Sequence, residues 1–295
     1  MPRTSEAIVR PDLGTLAYEF SLSAAQQGFV GQIVLPGFMT RLQSAQYPVI
    51  PAEAILEVGD TLRAPRSAYA RGDWEFEWAD YTCKENGWEE PLDDTEAAMF
   101  RDYFDAEVVA VQRAVLMVLR SQERRVAAKV MNTDTFENAA AAKAWNSYVD
   151  ADPLSDVEKA KEHFRYAVGL KPNALVMDED VLQLTIEQLK AYFGVENIVV
   201  AGAVFNSAKK GKPKQIEAIW PKDKVLLARL SSGGQDLKEP SLGRTFIWEE
   251  DAPGLLVTEQ YREEQTRSDV YRVRQNTDEC VQFAGAGYIL TGITA

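Results

Sequence analysis

The chain is poor in the side chains on which most metal proteins and nucleophilic enzymes depend. It has one histidine, His163, and two cysteines, Cys83 and Cys280, among 295 residues. Structural zinc sites use about four Cys or His ligands, and one histidine would have to serve every Ser–His or Cys–His pair. Two cysteines are also too few for a disulfide framework. We therefore predict two reduced, half-buried thiols and no metal ligation by His163.

Motifs for nucleotide chemistry, nucleophilic catalysis and membrane insertion are missing as well. No glycine-rich loop ends in Gly-Lys-Ser or Gly-Lys-Thr, and Gly285 and Gly287 lack the third glycine and the following helix of a dinucleotide loop. No Gly-x-Ser-x-Gly elbow occurs. No apolar run reaches about eighteen residues, and the first residues have no apolar signal-peptide core. We therefore expect neither membrane insertion nor secretion, and a cytoplasmic location.

Acidic residues outnumber basic residues by 45 to 32, so the formal net charge is −13. This excess disfavours a protein whose main surface grips nucleic-acid phosphates, because such a surface needs clustered Lys and Arg. The abundant carboxylates leave open a soluble α/β enzyme that acts through an acid pair. The acidic clusters 249–251 and 263–264 are, however, more typical of solvated turns and salt-bridging faces than of a catalytic dyad.

Residues 144–177 predict a helix, a turn and a strand without a chemically reactive group. Ser155 and Glu158 have the spacing of a capping box, so we expect the helix to begin at about Asp156. Its apolar positions recur every three or four residues, and Gly169 can adopt the left-handed conformation that closes a helix.

The same pattern repeats once more along the chain. A strand is predicted at 174–177, and a second helix is predicted to begin at the acidic residues 178–180 and to close at Gly194. Another strand is predicted at 198–205. The order helix, strand, helix, strand is typical of an α/β unit.

The longest predicted helix runs from Asp93 to about Asn132 and opens with Asp93 and Glu96 in capping-box relation. At a rise of about 1.5 Å per residue, it would be about 55–60 Å long. Acidic residues are concentrated at its beginning and basic residues at its end, as the helix dipole favours. Its apolar stripe consists of Phe100, Phe104, Val108, Val111, Val115, Leu119, Val126 and Val130. We interpret this segment as a long core helix.

The region 47–88 has strand signals and is punctuated by proline and glycine. Aromatic residues alternate with glutamates over 74–78, which predicts a strand with an aromatic face and an acidic face. The segment 73–96 contains ten acidic residues, whereas three arginines precede it: Arg63, Arg66 and Arg71. Charge alone favours an ordinary solvated hairpin. The alternative is a hairpin that lies across another copy of the chain, with its arginines on that copy's carboxylates.

Beyond the α/β unit the chain reads as mostly β-structure. Strands are predicted at 216–220, 225–230, 255–261, 270–273, 280–283 and 288–293. We expect the late strands to return to the sheet beside the long helix, which makes that domain discontinuous. Residues 1–45 show little periodicity apart from a short helix at about 23–29.

Six sequence motifs resemble those of a known family. They are WNxYxDxDPLxDVxxAK, GLKPNxLVM, FGVENIVVAGAVFNSA, W...LLARL, SLGRTFIW and YREEQTRSDVYRVRQNTDECVQFAGAGYIL. In their order and spacing, over roughly residues 90–295, they resemble tailed-phage major capsid proteins of the Hong Kong 97 type. The resemblance implies an α+β phage major capsid fold. Its parts are an N-terminal arm at 1–45, an extended hairpin loop at 46–90, a peripheral domain with a long spine helix at 91–138 and 255–295, and an α/β axial domain at 139–254.

The resemblance also implies a function that requires no catalytic, cofactor or metal site. Copies of the chain are expected to form hexamers and pentamers that close into an icosahedral head around double-stranded DNA, without sequence-specific binding. The expected location is the virion capsid, assembled in the host cytoplasm, with no membrane involved. A separate scaffold protein and a portal are expected partners, and a decoration protein is a further candidate.

In this family the extended loop overlaps an adjacent subunit, and the N-terminal arm runs over neighbouring subunits. The resemblance therefore implies inter-subunit contacts at six residues: Arg63, Arg66, Arg71, Asp73, Trp74 and Glu75. Two alternatives stay open. One is an encapsulin-like nanocompartment shell that encloses cargo enzyme, and the other is the soluble α/β carboxylate-dependent enzyme.

Overall fold

The computed structural model describes residues 7–24, 28–49, 51, 56–72, 76–147, 149–169, 171–181, 185–209, 211–238, 240–252 and 254–294. The helices are α1 (Pro11–Ala24), α2 (Gly31–Val34), α3 (Asp94–Phe100), α4 (Ala106–Val130), α5 (Pro153–Val168) and α6 (Ile186–Phe193). The first strands are β1 (Ile8–Val9), β2 (Gly37–Thr40), β3 (Ser44–Val49), β4 (Glu77–Thr82), β5 (Lys84–Asp93), β6 (Glu137–Ala140), β7 (Ala174–Asp178) and β8 (Asn197–Ala201). The later strands are β9 (Val204–Asn206), β10 (Ile216–Ala218), β11 (Lys224–Ala228), β12 (Gly243–Trp248), β13 (Val257–Glu263), β14 (Ser268–Val281) and β15 (Gly287–Thr291).

A six-stranded sheet forms around β14, the longest strand. β13 and β5 pair antiparallel with the two edges of its first part, and β12 pairs antiparallel with its last part. β1 extends the sheet beyond β13, and β2 adds parallel to β12. Residues from both ends of the chain therefore meet in one sheet.

A second, five-stranded sheet has the order β6-β15-β11-β7-β8. Its interior strand β7, between β11 and β8, is buried at every position. Ala174 and Val176 pack on one side, together with residues of α4, whereas Leu175 and Met177 pack on the other side against α5 and α6. Because successive side chains of a strand point to opposite faces, a strand covered on both faces is apolar at consecutive positions. The unbroken apolar run at 174–177 follows from this double burial.

Helix α4 packs against both sheets. In its first half, Val111 and Val115 lie in a cluster with Leu13 of α1 and Val273 of β14. In its second half, Val126 and other residues join the cluster on the inner face of the five-stranded sheet. The helix is covered on more than one side, as its broad apolar surface requires.

The expected single helix from Asp93 to about Asn132 is wrong, because the structure has two helices there. The Asp93 side chain accepts a hydrogen bond from the Thr95 amide at 2.7 Å, so α3 begins without the predicted capping box to Glu96. The Asp105 side chain accepts from the amides of Glu107 and Val108 and starts α4 as a new helix. With 25 residues, α4 is about 38 Å long instead of about 55–60 Å.

We expect the substitution Asp105→Ala to lower the free energy of unfolding by about 1 kcal/mol, because two amides of the first turn of α4 lose their acceptor. Urea denaturation of the unassembled chain, followed by circular dichroism, measures this loss. The control Asp105→Asn keeps a side-chain acceptor and is expected to retain most of the stability. Equal losses for the two variants would contradict the capping role.

Helix α5 also begins earlier than expected. Its N-terminal cap is Asp152, whose side chain accepts a hydrogen bond from the Ser155 amide at 3.1 Å. The predicted capping box of Ser155 and Glu158 is therefore wrong, because a better-placed cap precedes it by one turn. The predicted end is confirmed, since Gly169 adopts a left-handed φ of 70°.

Helix α6 begins later than expected. Asp178 ends β7, and the cap of α6 is Thr185, which forms a reciprocal capping box with Gln188. The predicted start at 178–180 is therefore wrong. Gly194 closes the helix with a φ of 58°, as expected.

The strands show four differences from expectation. The strand predicted at 198–205 is divided into β8 and β9. The strand predicted at 270–273 and the first two residues of the one predicted at 280–283 belong to the single strand β14. β13 and β14 do return to the sheet beside α4, but β15 joins the five-stranded sheet. β12, which the sequence did not predict, crosses from the segment 139–254 into the six-stranded sheet.

The N-terminal region is also organised differently. The described residues there form α1 (Pro11–Ala24), which the sequence did not predict. Residues 25–27 of the short helix predicted at about 23–29 lie outside the described residues. Leu13 and Ala17 of α1 are buried against α4, and β1 pairs with β13. In this structure, residues 8–24 therefore contact their own subunit.

Candidate subunit interfaces

The antiparallel pair β3 and β4 forms the base of the extended hairpin. Tyr81 of β4 stacks on Phe246 of β12, with ring centroids 4.4 Å apart, and Tyr47 of β3 lies 4.9 Å from the same ring. Such contacts between aromatic rings add to the stability gained from burying them. The base of the hairpin is thereby attached to the six-stranded sheet.

Hydrogen bonds hold the same base in place. The Thr82 amide donates to Oδ2 of Asp278 in β14 at 2.9 Å, and the Tyr81 hydroxyl donates to the Leu42 carbonyl at 3.1 Å. The base therefore has polar as well as apolar attachments to the body of the subunit.

Beyond this base, residues 56–72 are all exposed and have no strand pairing. The segment is not uniformly polar: Val58 is 93% exposed, Leu62 88% and Tyr69 70%. Apolar side chains of this size are therefore open to solvent in the single subunit. The predicted hairpin strand over 74–78 begins only at Glu77, and residues 73–75 lie outside the described residues.

The structure places three of the six predicted contact residues on this segment. Arg63 donates from Nε to the Ser67 carbonyl at 2.8 Å, and its guanidinium lies 4.8 Å from the Tyr69 ring centroid. Arg66 is in a turn with a φ of 69°, and both Arg66 and Arg71 are exposed. The other three, Asp73, Trp74 and Glu75, lie outside the described residues.

A second exposed apolar surface lies at the corner between α3 and α4. It consists of Met99, Phe100, Tyr103 and Phe104, with the rings of Phe100 and Phe104 stacked at 5.0 Å. The sequence had assigned Phe100 and Phe104 to the buried stripe of one long helix. That assignment is wrong, because the break before Asp105 turns both side chains away from the core that Val111 and Val115 enter.

The residues with reactive side chains lie elsewhere. Cys83 and Cys280 are free thiols and are buried, with 1% and 8% of their surface exposed, and not half-buried as predicted. Burial raises the pKa of Cys83 to about 11 and that of Cys280 to about 12, so both remain protonated at neutral pH. His163 contacts the Glu137 carboxylate and lies beside the Tyr288 ring.

Neither a metal-binding cluster nor a membrane-spanning helix occurs among the described residues. Within that part of the chain, no group of three or more His, Cys, Asp or Glu side chains could hold a metal ion. None of the helices described above combines the length and the apolar composition needed to cross a membrane.

The sequence did not reveal the buried carboxylate of Glu123. Its oxygens accept hydrogen bonds from the amides of Val30 and Gly31, each at 2.8 Å, and from Nε1 of Trp220 at 2.7 Å. Desolvation raises the pKa of this carboxyl group above its ordinary value. Glu123 lies on the buried face of α4. A glutamate at an otherwise apolar position of a helix was the one sequence signal that could have predicted a buried, hydrogen-bonded carboxylate. It joins α2, α4 and the loop before β11.

No family model matches the chain, but a curated protein and several solved structures are similar to it. It is 27% identical to the major capsid protein of Burkholderia phage BcepMu over 317 residues, and the alignment covers 97% of each chain.

Solved structures share the fold along nearly the whole length. A phage-related protein from Bordetella bronchiseptica has a TM-score of 0.75 at 22% identity and covers 98% of both chains. A virus-like particle from Pyrococcus furiosus has a TM-score of 0.61 at 13% identity, covering 95% of this chain and 98% of that one. The capsid of Myoviridae phage XM1 has a TM-score of 0.53 at 11% identity over 92% of both chains.

The alignments cover 97% and 98% of the chain. They therefore include most of residues 1–45, which lie outside the stretch that carried the sequence resemblance. The protein has the Hong Kong 97-type α+β capsid fold, and its resemblance to tailed-phage major capsid proteins is confirmed along nearly the whole chain.

Proposed function

We propose that this chain is the major structural subunit of a phage head and that its copies assemble into an icosahedral shell. The observation that carries the proposal is the exposed segment 56–72, which projects from a base fixed by Tyr81 and Phe246. Ordering the backbone costs roughly 1–2 kcal/mol per residue, and side chains as exposed as those of Val58 and Leu62 offset little of that cost within one subunit. A neighbouring copy that covers Val58, Leu62 and Tyr69 supplies the missing burial.

The charges of the hairpin favour a contact between copies. Arg63, Arg66 and Arg71 are at its exposed end, and the segment 73–96 carries ten acidic residues. A guanidinium of one copy and a carboxylate of the next form charge-assisted hydrogen bonds that fix the relative position of two subunits. We therefore keep Arg63, Arg66, Arg71, Asp73, Trp74 and Glu75 as the proposed inter-subunit contact.

We also propose different structural roles for the two sheets. The five-stranded sheet with α5 and α6, formed mainly by residues 139–254, closes the centre of each hexamer or pentamer. The six-stranded sheet with α4 forms the periphery, where capsomers meet. The exposed corner of Met99, Phe100, Tyr103 and Phe104 suits such a meeting point, since large apolar and aromatic residues are enriched in the cores of interfaces.

The net charge of −13 suits a shell that encloses DNA without adhering to it. The proposed role is structural and non-catalytic, and the proposed location is the virion capsid. A separate scaffold protein and a portal are proposed as partners in assembly, and a decoration protein is a further candidate.

Negative-stain electron microscopy and sedimentation velocity of the overexpressed protein test this proposal. The expected result is capsomers or closed shells, with or without a coexpressed scaffold. A monodisperse monomer or dimer at every concentration, with no shells in the micrographs, would contradict it and favour a soluble enzyme. Nucleic acid or cargo protein in purified shells distinguishes a phage head from a nanocompartment.

A further inference from the structure

The hairpin formed by β9 and β10 ends in an ordered, exposed tip. The two strands pair antiparallel, and the Ser207 amide continues this pairing by donating to the Gln215 carbonyl at 2.9 Å. Oδ1 of Asn206 accepts a hydrogen bond from the Gln215 amide at 3.0 Å. The Lys212 amide donates to the Lys209 carbonyl at 3.0 Å, the spacing of a β-turn. The tip is therefore held in shape by its own hydrogen bonds.

Positive charge is concentrated in this tip. Over residues 197–217 the sequence has four lysines, all within 209–214, and one acidic residue, Glu217. The structure describes three of these lysines: Lys209, Lys212 and Lys214. All three are exposed, and none forms an ion pair or a side-chain hydrogen bond with another described residue. The Glu217 carboxylate instead accepts hydrogen bonds from the side chains of Ser207 and Gln215, below the turn.

The net charge of −13 does not keep an anion away from the tip. At physiological ionic strength, exposed charges farther apart than about 8 Å are largely screened from each other. An anion at the tip therefore interacts mainly with the nearby lysines. Because the rest of the chain has an excess of acid, contact with a polyanion is confined to this tip.

The composition of the tip favours nucleic acid over an acidic protein. Residues 207–215 include no arginine, aromatic or large aliphatic residue, whereas the exposed Val204 and Ile216 lie on the strands. An acidic amphipathic helix needs an apolar groove, and carboxylates are recognised best by the planar fork of arginine. Duplex DNA carries one charge per about 1.7 Å of its axis, but an extended acidic peptide carries at most one per about 3.3 Å. Closely spaced lysines therefore gain more from DNA.

We propose that the tip at 207–215 binds the phosphate backbone of duplex DNA without regard to sequence. Its lysines act as separate point charges, each of which releases a counterion when it contacts a phosphate, so binding is expected to weaken as salt rises. Because the contact involves few residues, it allows an otherwise acidic subunit to touch DNA without adhering along its whole surface. The inference goes beyond the proposed function, which assigns no residue to DNA, and it does not require a closed shell.

Fluorescence anisotropy of a labelled duplex of about 20 base pairs, titrated with the unassembled full-length chain, tests the proposal. Binding is expected at low salt, with equal affinity for two unrelated sequences. The variant Lys209→Glu/Lys212→Glu/Lys214→Glu is expected to bind at least about tenfold more weakly. Its plot of log affinity against log salt is expected to be shallower by about 3, since each phosphate contact contributes about 0.9 to the slope.

The matched control makes the same change in charge at three exposed lysines outside the hairpin: Lys143→Glu/Lys159→Glu/Lys171→Glu. It is expected to bind as the wild type does. A variant with Arg in place of Lys209, Lys212 and Lys214 keeps the charge and is expected to retain binding. If the glutamate variant fails to fold, the corresponding glutamine variant replaces it and is expected to show a smaller loss.

Equal binding by the hairpin variant and its matched control overturns the proposal. A polyglutamate peptide that binds more tightly than the duplex overturns it in favour of an acidic protein. Shells formed by a wild type that does not bind the duplex overturn this inference and leave the proposed function intact. Loss of assembly in the hairpin variant, with no duplex binding by the wild type, overturns it in favour of a contact between copies.

Discussion

Replacing residues 56–72 with a short Gly-Ser turn is expected to abolish shell assembly and to leave a folded subunit. The replaced residues are all exposed, so their loss removes little packing from the subunit itself. The base of the hairpin keeps its β3–β4 pairing and the stacking of Tyr81 on Phe246. Sedimentation velocity and negative-stain microscopy measure assembly, and circular dichroism with thermal unfolding measures the fold.

Charge substitutions within the same segment separate specific contacts from loop length. Arg63→Glu, Arg66→Glu and Arg71→Glu together are expected to prevent assembly, because like charges would then face each other across the interface. The matched control changes the same three residues to Lys, which keeps the charge but loses the bidentate geometry. It is expected to assemble into less stable shells. Normal shells from the shortened hairpin would contradict the role of this segment.

The substitution Glu123→Ala is expected to lower the free energy of unfolding of the subunit by at least about 3 kcal/mol. Three buried donors lose their acceptor: the amides of Val30 and Gly31 and Nε1 of Trp220. Each buried polar group left without a partner costs about 1–3 kcal/mol. Urea denaturation of unassembled subunits, followed by tryptophan fluorescence, measures the loss and also reports directly on the environment of Trp220.

The control Glu123→Gln retains an acceptor oxygen and is expected to lose less stability than Glu123→Ala. It also isolates the effect of ionisation. Burial raises the pKa of the Glu123 carboxyl above its ordinary value of 4.5, so the folded state binds more protons than the unfolded state in the range just above that value. The wild type is therefore expected to lose stability relative to Glu123→Gln as the pH rises from about 4 to about 7. A difference that does not vary with pH would contradict the burial of an ionisable group here.

Local signals in the sequence predicted the features that depend on near neighbours. Gly169 and Gly194 close α5 and α6 because helix ends require a left-handed conformation that glycine adopts at little cost. The apolar spacing of Val111, Val115 and Val126 placed them correctly in the core, since one side of a helix repeats every three to four residues.

Helix starts were harder to predict, because several residues near a helix start can act as its cap. Ser155 and Asp152 are both competent caps within one turn of each other, whereas Asp93 and Asp105 each cap a separate helix within the segment predicted as one. Sequence spacing does not rank such competing caps. Tertiary packing selects among them, because it fixes which turn enters the core.

The sequence by itself determined the family resemblance, the α+β class, the lack of a catalytic motif and most of the helices and strands. Only the tertiary structure decided that β12 joins the six-stranded sheet and β15 the five-stranded sheet. It also decided that Phe100 and Phe104 are exposed, and that the Glu123 carboxylate accepts hydrogen bonds from both Val30 and Trp220. It also brought the guanidinium of Arg124 over the ring of Phe205. These features depend on contacts between segments far apart in the chain. Local periodicity shows which face of each segment is apolar. Which other segment packs on that face depends on the burial achieved in the complete fold.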